Sequence, residues 1–400
     1  MTVTGSWERA ANGAMLLGTD GQLSQTIFAE MSALAVSTGA INLGQGFPDE
    51  DGPLEVLDAA RKAISDGFNQ YPPGNGLPVL RNTIAEHQER FYGIEIDPDT
   101  EVLATAGATE ALAATILALT SEGDEVITLE PFYDAYGAMI NYARATHVTV
   151  PLRYPDFQPN HDDIRAAFSG RTRLIILNSP HNPTGSVLDR ETLELVVELA
   201  HKFDALIVTD EVYEHITFGH EHIPIASLPG AFDRTISISS GGKTFNTTGW
   251  KIGWITAPQP ILQAIMAVKQ YLTYVNGAPF QVGIAAGLGL PDDYFIGLAD
   301  GLARKRDTLG AGLRSAGFDV TTPQAGYFII ADAAPLGVTD AAEFCRTLPD
   351  LAGVVGIPVT AFVHAENHEN YNTLIRFAFC KQTDVLDRAA AQLSGMKLRN

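Results

Sequence analysis

The chain has little cysteine, few basic residues and no long apolar run. Only Cys345 and Cys380 occur among its 400 residues, far apart in sequence. Two thiols so placed exclude a disulfide framework and a cysteine-based metal centre, and they suit a reducing compartment; no metal site is expected. Lys and Arg number 26 against 47 Asp and Glu, a formal net charge of −21 at pH 7. A surface that acidic repels nucleic-acid phosphates and anionic membranes, so neither is an expected partner. No apolar stretch approaches the ~18 residues that span a bilayer. The opening "MTVTGSWERAANGAMLLGTDG" lacks the basic start and apolar centre of a secretory signal. The expected location is cytoplasmic.

What is present is the material of a globular protein: 46% hydrophobic and 18% charged residues. The length exceeds one ordinary core, which implies two or three domains or one large domain with a satellite. No repeat, low-complexity tract or Gly/Ser linker divides the chain. The middle alternates short β-branched runs with helical patterns. "EVLATAG" (101–107), "EVITLE" (125–130), "RLIILN" (173–178), "ALIVTD" (205–210) and "RTISIS" (234–239) read as strands, with helices such as "DRETLELVVELAHKF" between them. That alternation predicts an α/β domain, a mostly parallel sheet covered by helices on both faces, with ligands at the carboxyl ends of its strands. The last hundred residues read as a smaller α+β domain, which the N-terminal stretch is expected to join. The expected division is 1–54 for an N-terminal arm and part of the small domain, 55–295 for the large domain and 296–400 for the rest of the small one.

One lysine raises the question of chemistry. In "SSGGKTFNTTGWKIGW" (239–254), Lys243 resembles the end of a phosphate loop, G-x-x-x-x-G-K-[ST]. The first glycine of that pattern is replaced by Ser237, and the backbone there must wrap closely round the phosphates. A loop lysine taken alone is ordinarily a solvated charge. Its company at other strand ends argues for more. Asp210 ends an apolar strand, where a carboxylate needs a partner; it is either a loop cap or the counter-ion of a protonated ring, with Tyr213 three residues on. Asn182 sits in "NSPHNPTG", ordinary turn chemistry or a site residue. Arg376 lies among apolar neighbours in "TLIRFAF", where it either pairs with an internal acid or binds a carboxylate bidentately. "GATEA" (107–111) opens a helix after a strand, a natural phosphate seat that Ser240 and Lys251 could reinforce. Tyr133 in "EPFYDAY" could stack on a planar ring or belong to the core.

Taken together, "NPTG", "TDEVYE", "SSGGKTF…GWKIGW" and "LIRFAF" resemble the fold-type I, pyridoxal-phosphate-dependent aminotransferases of class I/II. Each motif is weak alone; their order and placement on strand ends are specific. The likeness runs from "INLGQGFPDE" to "LIRFAFCK". Within that group the chain looks most like the kynurenine aminotransferase/cysteine-S-conjugate β-lyase branch and the actinobacterial-type N-succinyldiaminopimelate aminotransferase. "FAEMSALA" and "KQYLTYVNGAPFQ" point to the second.

The resemblance implies that Lys243 forms a Schiff base with pyridoxal 5'-phosphate and that Asp210 pairs with its ring nitrogen. Tyr213 and Asn182 would bond its phenolate oxygen. Ala108, Thr109, Ser240 and Lys251 would hold the phosphate, and Tyr133 would stack on the ring. Arg376, helped by Asn182 and the backbone at Gly46, would bind the α-carboxylate. Tyr71 would reach the phosphate of a neighbouring subunit, which makes a homodimer with shared sites. Many relatives carry Arg in place of Lys251, which reads as a branch marker. The implied reaction is ping-pong transamination with 2-oxoglutarate, of N-succinyldiaminopimelate in lysine biosynthesis, or alternatively of kynurenine, glutamine or methionine with β-elimination as a side activity. A sensor built on this fold with an added DNA-binding domain is the reading from another class, and the acidic charge opposes it. The distal part of the substrate is expected near Leu23 to Phe28, Tyr274 and Asn276.

Overall fold

The computed structural model describes residues 3–18 and 21–396; the other positions of the expected terminal segments lie outside the described residues. Seven strands form the main sheet, in the order 102–106, 252–256, 235–240, 206–210, 172–178, 125–130, 146–151. All neighbouring pairs are parallel except those made by Ile252–Thr256, which runs antiparallel to both its neighbours. The link that enters it, residues 241–251, holds only one turn of α-helix (Gly241–Thr244) and one of 3-10 helix (Thr248–Trp250). That is too little for the crossover a parallel pair needs. The strand is absent from the sequence reading, as is Thr146–Pro151 at the sheet edge.

The inner strands are apolar on both faces because helices cover both. Ile127, Ile175 and Ile207 pack with Leu193, Val196 and Leu199 of the helix Arg190–Phe203 on one side. Val126, Ile176, Val208 and Ile238 pack with Leu112 and Ile116 of the helix Gly107–Leu119 on the other. Side chains so enclosed contribute roughly 1.5–3 kcal/mol each, enough to hold polar strand ends in place. Asp189 caps its helix by accepting from Thr192 N–H at 2.8 Å.

A second, antiparallel sheet has the order 357–358, 374–378, 328–332, 319–320. It packs with the helices Asp292–Ser315, Ala341–Ala352 and Thr383–Ser394. The helix Ile27–Thr38 joins this core, and Ile41–Asn42 pairs in parallel with Val354–Val355. The helix Trp7–Gly13 stands apart from this core. It lies on the helix Asp134–Tyr142, against the main sheet, so closely that a Cβ on Gly13 would sit 2.2 Å from Gly137 O. Only two glycines permit that approach. No helix among the described residues is long and apolar enough to cross a membrane.

Candidate active site

A cavity opens at the carboxyl ends of the main strands, lined by side chains from five separate segments. Its floor is Asp210, the last residue of the central strand, 5% exposed. One carboxylate oxygen accepts from the Tyr136 hydroxyl at 2.7 Å and the other lies 3.5 Å from Val212 N–H. Burial pushes its pKa up to about 6, against the opposing pull of those two donors. The Asn178 amide donates to Asp210 O at 2.8 Å and its oxygen accepts Asn182 N–H at 2.7 Å. That contact pins the "NPTG" turn to the central strand. Neither Tyr136 nor Asn178 is picked out by the sequence reading; Tyr136 looks there like one more aromatic of "EPFYDAY".

Lys243 projects from the short helix Gly241–Thr244 into the same space. Its Nζ lies 3.4 Å from Gly46 O, over the rings of Tyr327 and Tyr213 at 5.4 and 5.9 Å. Desolvation lowers its pKa to about 8, which Cys380 and Asp210 partly offset. An amine of that kind carries a sizeable neutral fraction at physiological pH, the form that attacks a carbonyl. Tyr327 also donates to Gly46 O, at 2.6 Å. The Tyr213 hydroxyl is hydrogen-bonded to that of Tyr327. Burial pushes the Tyr213 phenol above its ordinary range, so it stays protonated. Tyr327 is a further site residue that the sequence reading misses.

The opposite end of the cavity is built for an anion. The helix Gly107–Leu119 begins there with Ala108 and Thr109, and Ser240, Thr248 and Lys251 face it. Gly107 has φ +72°, and a Cβ on it would stand 3.3 Å from Lys251 Nζ. A Cβ on Gly253 would lie 2.6 Å from Gly107 C and 2.8 Å from Ala108 N. These glycines let two backbones and a lysine converge on one helix N-terminus, where free N–H groups favour negative charge. The helix that carries Lys243 is only four residues long, and the phosphate-loop reading fails for that reason. Tyr133 lines the wall and bonds the Thr109 side chain.

Arg376 stands in the small sheet opposite Ile330 and Ile357. Nη1 donates to Asn182 Oδ1 at 3.2 Å and Nη2 to Gly44 O at 2.8 Å. The carbonyl it takes is Gly44's; that of Gly46 serves Tyr327 and Lys243. The guanidinium packs on Phe328, Phe362 and Phe28 at 4.1, 4.6 and 5.4 Å. Burial lowers its pKa to about 10, so it stays charged, and its buried Nε has no hydrogen-bond partner. A caged, charged fork with a spare donor suits a carboxylate.

Tyr71 is not among the residues lining this cavity. It is 82% exposed and meets Tyr274 edge to face at 5.8 Å. Asn276 is spent structurally: its amide donates to Thr105 O at 2.7 Å, and its oxygen accepts from Gln281 at 2.7 Å. Leu23 and Tyr274 are exposed, while Phe28 touches Arg376.

The donors fit pyridoxal 5'-phosphate. A phosphate needs the helix N-terminus, Ser240 and Lys251; a pyridine nitrogen needs a buried acid; an aldehyde needs a depressed amine. All three face one cavity, and the Gly107 cradle is space that a side chain would fill.

Residues 38–393 match the family described as Aminotransferase class I and II. The chain is 49% identical over 379 residues to the probable N-succinyldiaminopimelate aminotransferase DapC of Mycobacterium tuberculosis, covering 92% of this chain and 95% of that one. It is 38% identical over 395 residues to kynurenine--oxoglutarate transaminase 3 of Rattus norvegicus, at 92% and 87% coverage. The solved N-succinyldiaminopimelate aminotransferase of Mycobacterium tuberculosis superposes with a TM-score of 0.91 at 47% identity, covering 98% of this chain and 99% of that one.

Proposed function

This chain belongs to the class I and II aminotransferases, and on that premise we propose that it moves an amino group between N-succinyl-LL-2,6-diaminopimelate and 2-oxoglutarate, a step of lysine biosynthesis. The aminotransferase activity and the cofactor, pyridoxal 5'-phosphate, follow from the family. The substrate reading is supported by the 49% identity to the Mycobacterium relative over nearly the whole chain. The 38% identity to the kynurenine relative favours the second reading, a kynurenine, glutamine or methionine aminotransferase with cysteine-S-conjugate β-lyase activity.

We assign the cofactor's phosphate to Ala108, Thr109, Ser240 and Lys251, its ring face to Tyr133, and its phenolate side to Tyr213 and Asn182. Lys243 Nζ would hold its aldehyde carbon. When bound, the cofactor supplies an electron sink for charge that develops at the substrate's α-carbon. Asp210 then keeps a proton on the pyridine nitrogen, and the ion pair brings the carboxylate's pKa back down from about 6. Arg376 grips the α-carboxylate and so sets which bond at the α-carbon faces Lys243. Lys243 Nζ, neutral once released, takes the α-proton; its lowered pKa suits that exchange. In this reading the small domain, 296–400 with the helix Ile27–Thr38 and the strand Ile41–Asn42, and the large one, 55–295, enclose this exchange from two sides.

The active unit in this reading is a cytoplasmic homodimer with shared sites. Tyr71, Tyr271 and Tyr274 are exposed aromatics, and Tyr71 would serve the partner's phosphate. The deciding experiment is steady-state kinetics with 2-oxoglutarate as acceptor. The proposal requires parallel, ping-pong double-reciprocal lines and a kcat/KM for N-succinyldiaminopimelate at least a hundred-fold above those for kynurenine and methionine. Pyruvate release from a cysteine conjugate without an oxo acid, together with the reverse preference, would establish the second reading.

A further inference from the structure

We propose that His87, Glu214 and His215 form a binding site for one transition-metal ion of the Zn2+ class, on the side of the central strand away from the cofactor cavity. Their ligand atoms all lie within 4.8 Å of one another. The site is distinct from the one described above: none of the three lines the cavity around Lys243. The chain reverses its facing at the end of the central strand. Asp210 and Tyr213 turn into the cavity, while Glu214 and His215 line a groove of about 690 Å³ beside Tyr92, His220 and His222.

The donor chemistry is specific. His87 Nε2 and His215 Nε2 face each other at 2.6 Å, so at least one of these nitrogens carries no proton and offers a lone pair. Two imidazoles and a carboxylate suit Zn2+, Co2+ or Ni2+. At a Zn–N length of about 2.0–2.1 Å, tetrahedral ligands lie roughly 3.3 Å apart, so the ion must part the rings by several tenths of an ångström. His215 is only half-buried and borders the groove, which leaves it room to move.

The surrounding groups already orient the ligands. Glu214 accepts from Tyr92 at 2.8 Å and from Ser239 at 2.5 Å, one donor on each oxygen. His87 Nδ1 faces the Gln88 amide nitrogen at 3.5 Å; with Nε2 given to the ion and the proton on Nδ1, the amide must turn to offer its oxygen. The same groove is lined by His222, 7% exposed, neither of whose ring nitrogens has a hydrogen-bond partner. Its Nε2 stands 3.5 Å from Glu211, in ion-pair range only. It lines the groove but is not among the three clustered donors, so water from the groove would complete the shell. His87 and His215 lie 128 positions apart, so no ligand spacing advertises the site. A bound ion would brace the helix Pro78–Tyr92 against the segment that carries Asp210 and Tyr213.

The test uses EDTA-treated holoenzyme titrated with Co2+, followed by visible absorption and by equilibrium dialysis. One Co2+ per chain is expected, with the intense bands of four- or five-coordinate cobalt. Both signals should weaken more than ten-fold in His87→Gln and in His215→Gln, and persist in His220→Gln, an exposed histidine of the same groove. Transaminase turnover should change little in all three. Buried His87 makes its variant the one at risk of misfolding, and His215→Gln then decides, with circular dichroism and cofactor absorbance to certify the fold. No stoichiometric uptake at millimolar Co2+, or uptake indifferent to both substitutions, overturns the site and leaves the pair as a hydrogen-bonded strut.

Discussion

Tyr136 donates its phenolic proton to Asp210 at 2.7 Å, and the two side chains are sealed from solvent together, at 2% and 5% exposure. The phenol therefore shares in setting the charge of the carboxylate on which the ring nitrogen depends. Tyr136→Phe removes the donor and leaves an unsatisfied oxygen. A hydrogen bond to a charged group is worth ~1.5–3 kcal/mol, so affinity for pyridoxal phosphate should fall about ten- to hundred-fold. Because the lost bond favoured the ionised form, Asp210 titrates still higher than about 6 in the variant. The loss should be larger at pH 6 than at pH 8. Binding titrations at the two pH values check this, and a purely structural effect would be the same at both.

Asp210 also makes the cofactor-free protein pH-sensitive in a direction opposite to that of most acids. Its pKa rises from 3.8 to about 6 on folding, so the folded state holds the proton more tightly than the unfolded one. Its contribution is favourable below pH 3.8 and is lost as pH rises through about 6. At ~1.36 kcal/mol per pH unit, the penalty at neutral pH is roughly 3 kcal/mol. Apo Asp210→Asn should therefore be more stable than apo wild type at pH 8 and no more stable at pH 4, in urea melts at each pH. Adding cofactor should reverse the order at pH 8.

The parts legible in the sequence share a cause. Strands such as "ALIVTD" and "RLIILN" declare themselves because both faces are buried and the run is continuously apolar. Asp210, Asn182 and Lys243 declare themselves because polar residues at the ends of such runs need a reason. Asn178 ends "RLIILN" and carries the same mark, although the sequence reading does not use it; Tyr136, Tyr327 and Gly44 carry none. Tyr136 meets Asp210 across 74 positions, Tyr327 meets Gly46 across 281, and Arg376 meets Gly44 across 332. These contacts exist only once the sheets have packed, and nothing local to "EPFYDAY" or "GYFIIAD" encodes them. Ile252–Thr256 escaped for a similar reason. It contains Gly253, whose missing side chain is explained by Gly107 and Ala108 at the start of the helix Gly107–Leu119 and not by its own strand.

Gly253 tests the geometry of the anion end. A methyl there would lie 2.6–2.8 Å from the backbone of Gly107 and Ala108, and backbone cannot step aside as a side-chain tip can. Gly253→Ala should destabilise the holoenzyme by about 1–3 kcal/mol and weaken retention of the phosphate-bearing cofactor during dialysis. Gly297, within the helix Asp292–Ser315, has open space around its would-be Cβ. Gly297→Ala should instead stabilise by up to ~1 kcal/mol, with cofactor retention unchanged. Thermal melts and dialysis of the two variants side by side separate strain at the site from glycine replacement in general.

The lowered pKa of Lys243 predicts how the apo-protein takes up its cofactor. The neutral amine is the reactive form, and with a pKa of about 8 its fraction rises through pH 7–8 and is nearly complete by pH 9. The second-order rate of pyridoxal phosphate uptake should follow that curve and level off. An amine at the ordinary 10.5 would still be gaining rate at pH 10. Stopped-flow absorbance across pH 6–10 distinguishes the two.

The proposed sharing of sites makes a prediction that no single chain can satisfy. Tyr71 is 82% exposed and absent from its own cavity, so in a dimer with shared sites it must serve the other subunit. Lys243→Ala removes the reacting amine from one chain's site, and Tyr71→Ala removes a phosphate contact from the partner's. Each variant dimer is impaired alone. Mixed and reassembled at equal concentrations, about half the dimers are hybrids, as expected for random pairing of a symmetric two-fold assembly. In each hybrid one site combines an intact Lys243 with an intact Tyr71 from the neighbour, and the other site lacks both. Turnover in the mixture should then recover to about a quarter of the wild-type value per chain. Sites confined to single chains would give only the average of the two impaired parents. Activity measured before and after subunit exchange, with a tag on one variant to count hybrids, reads the difference directly.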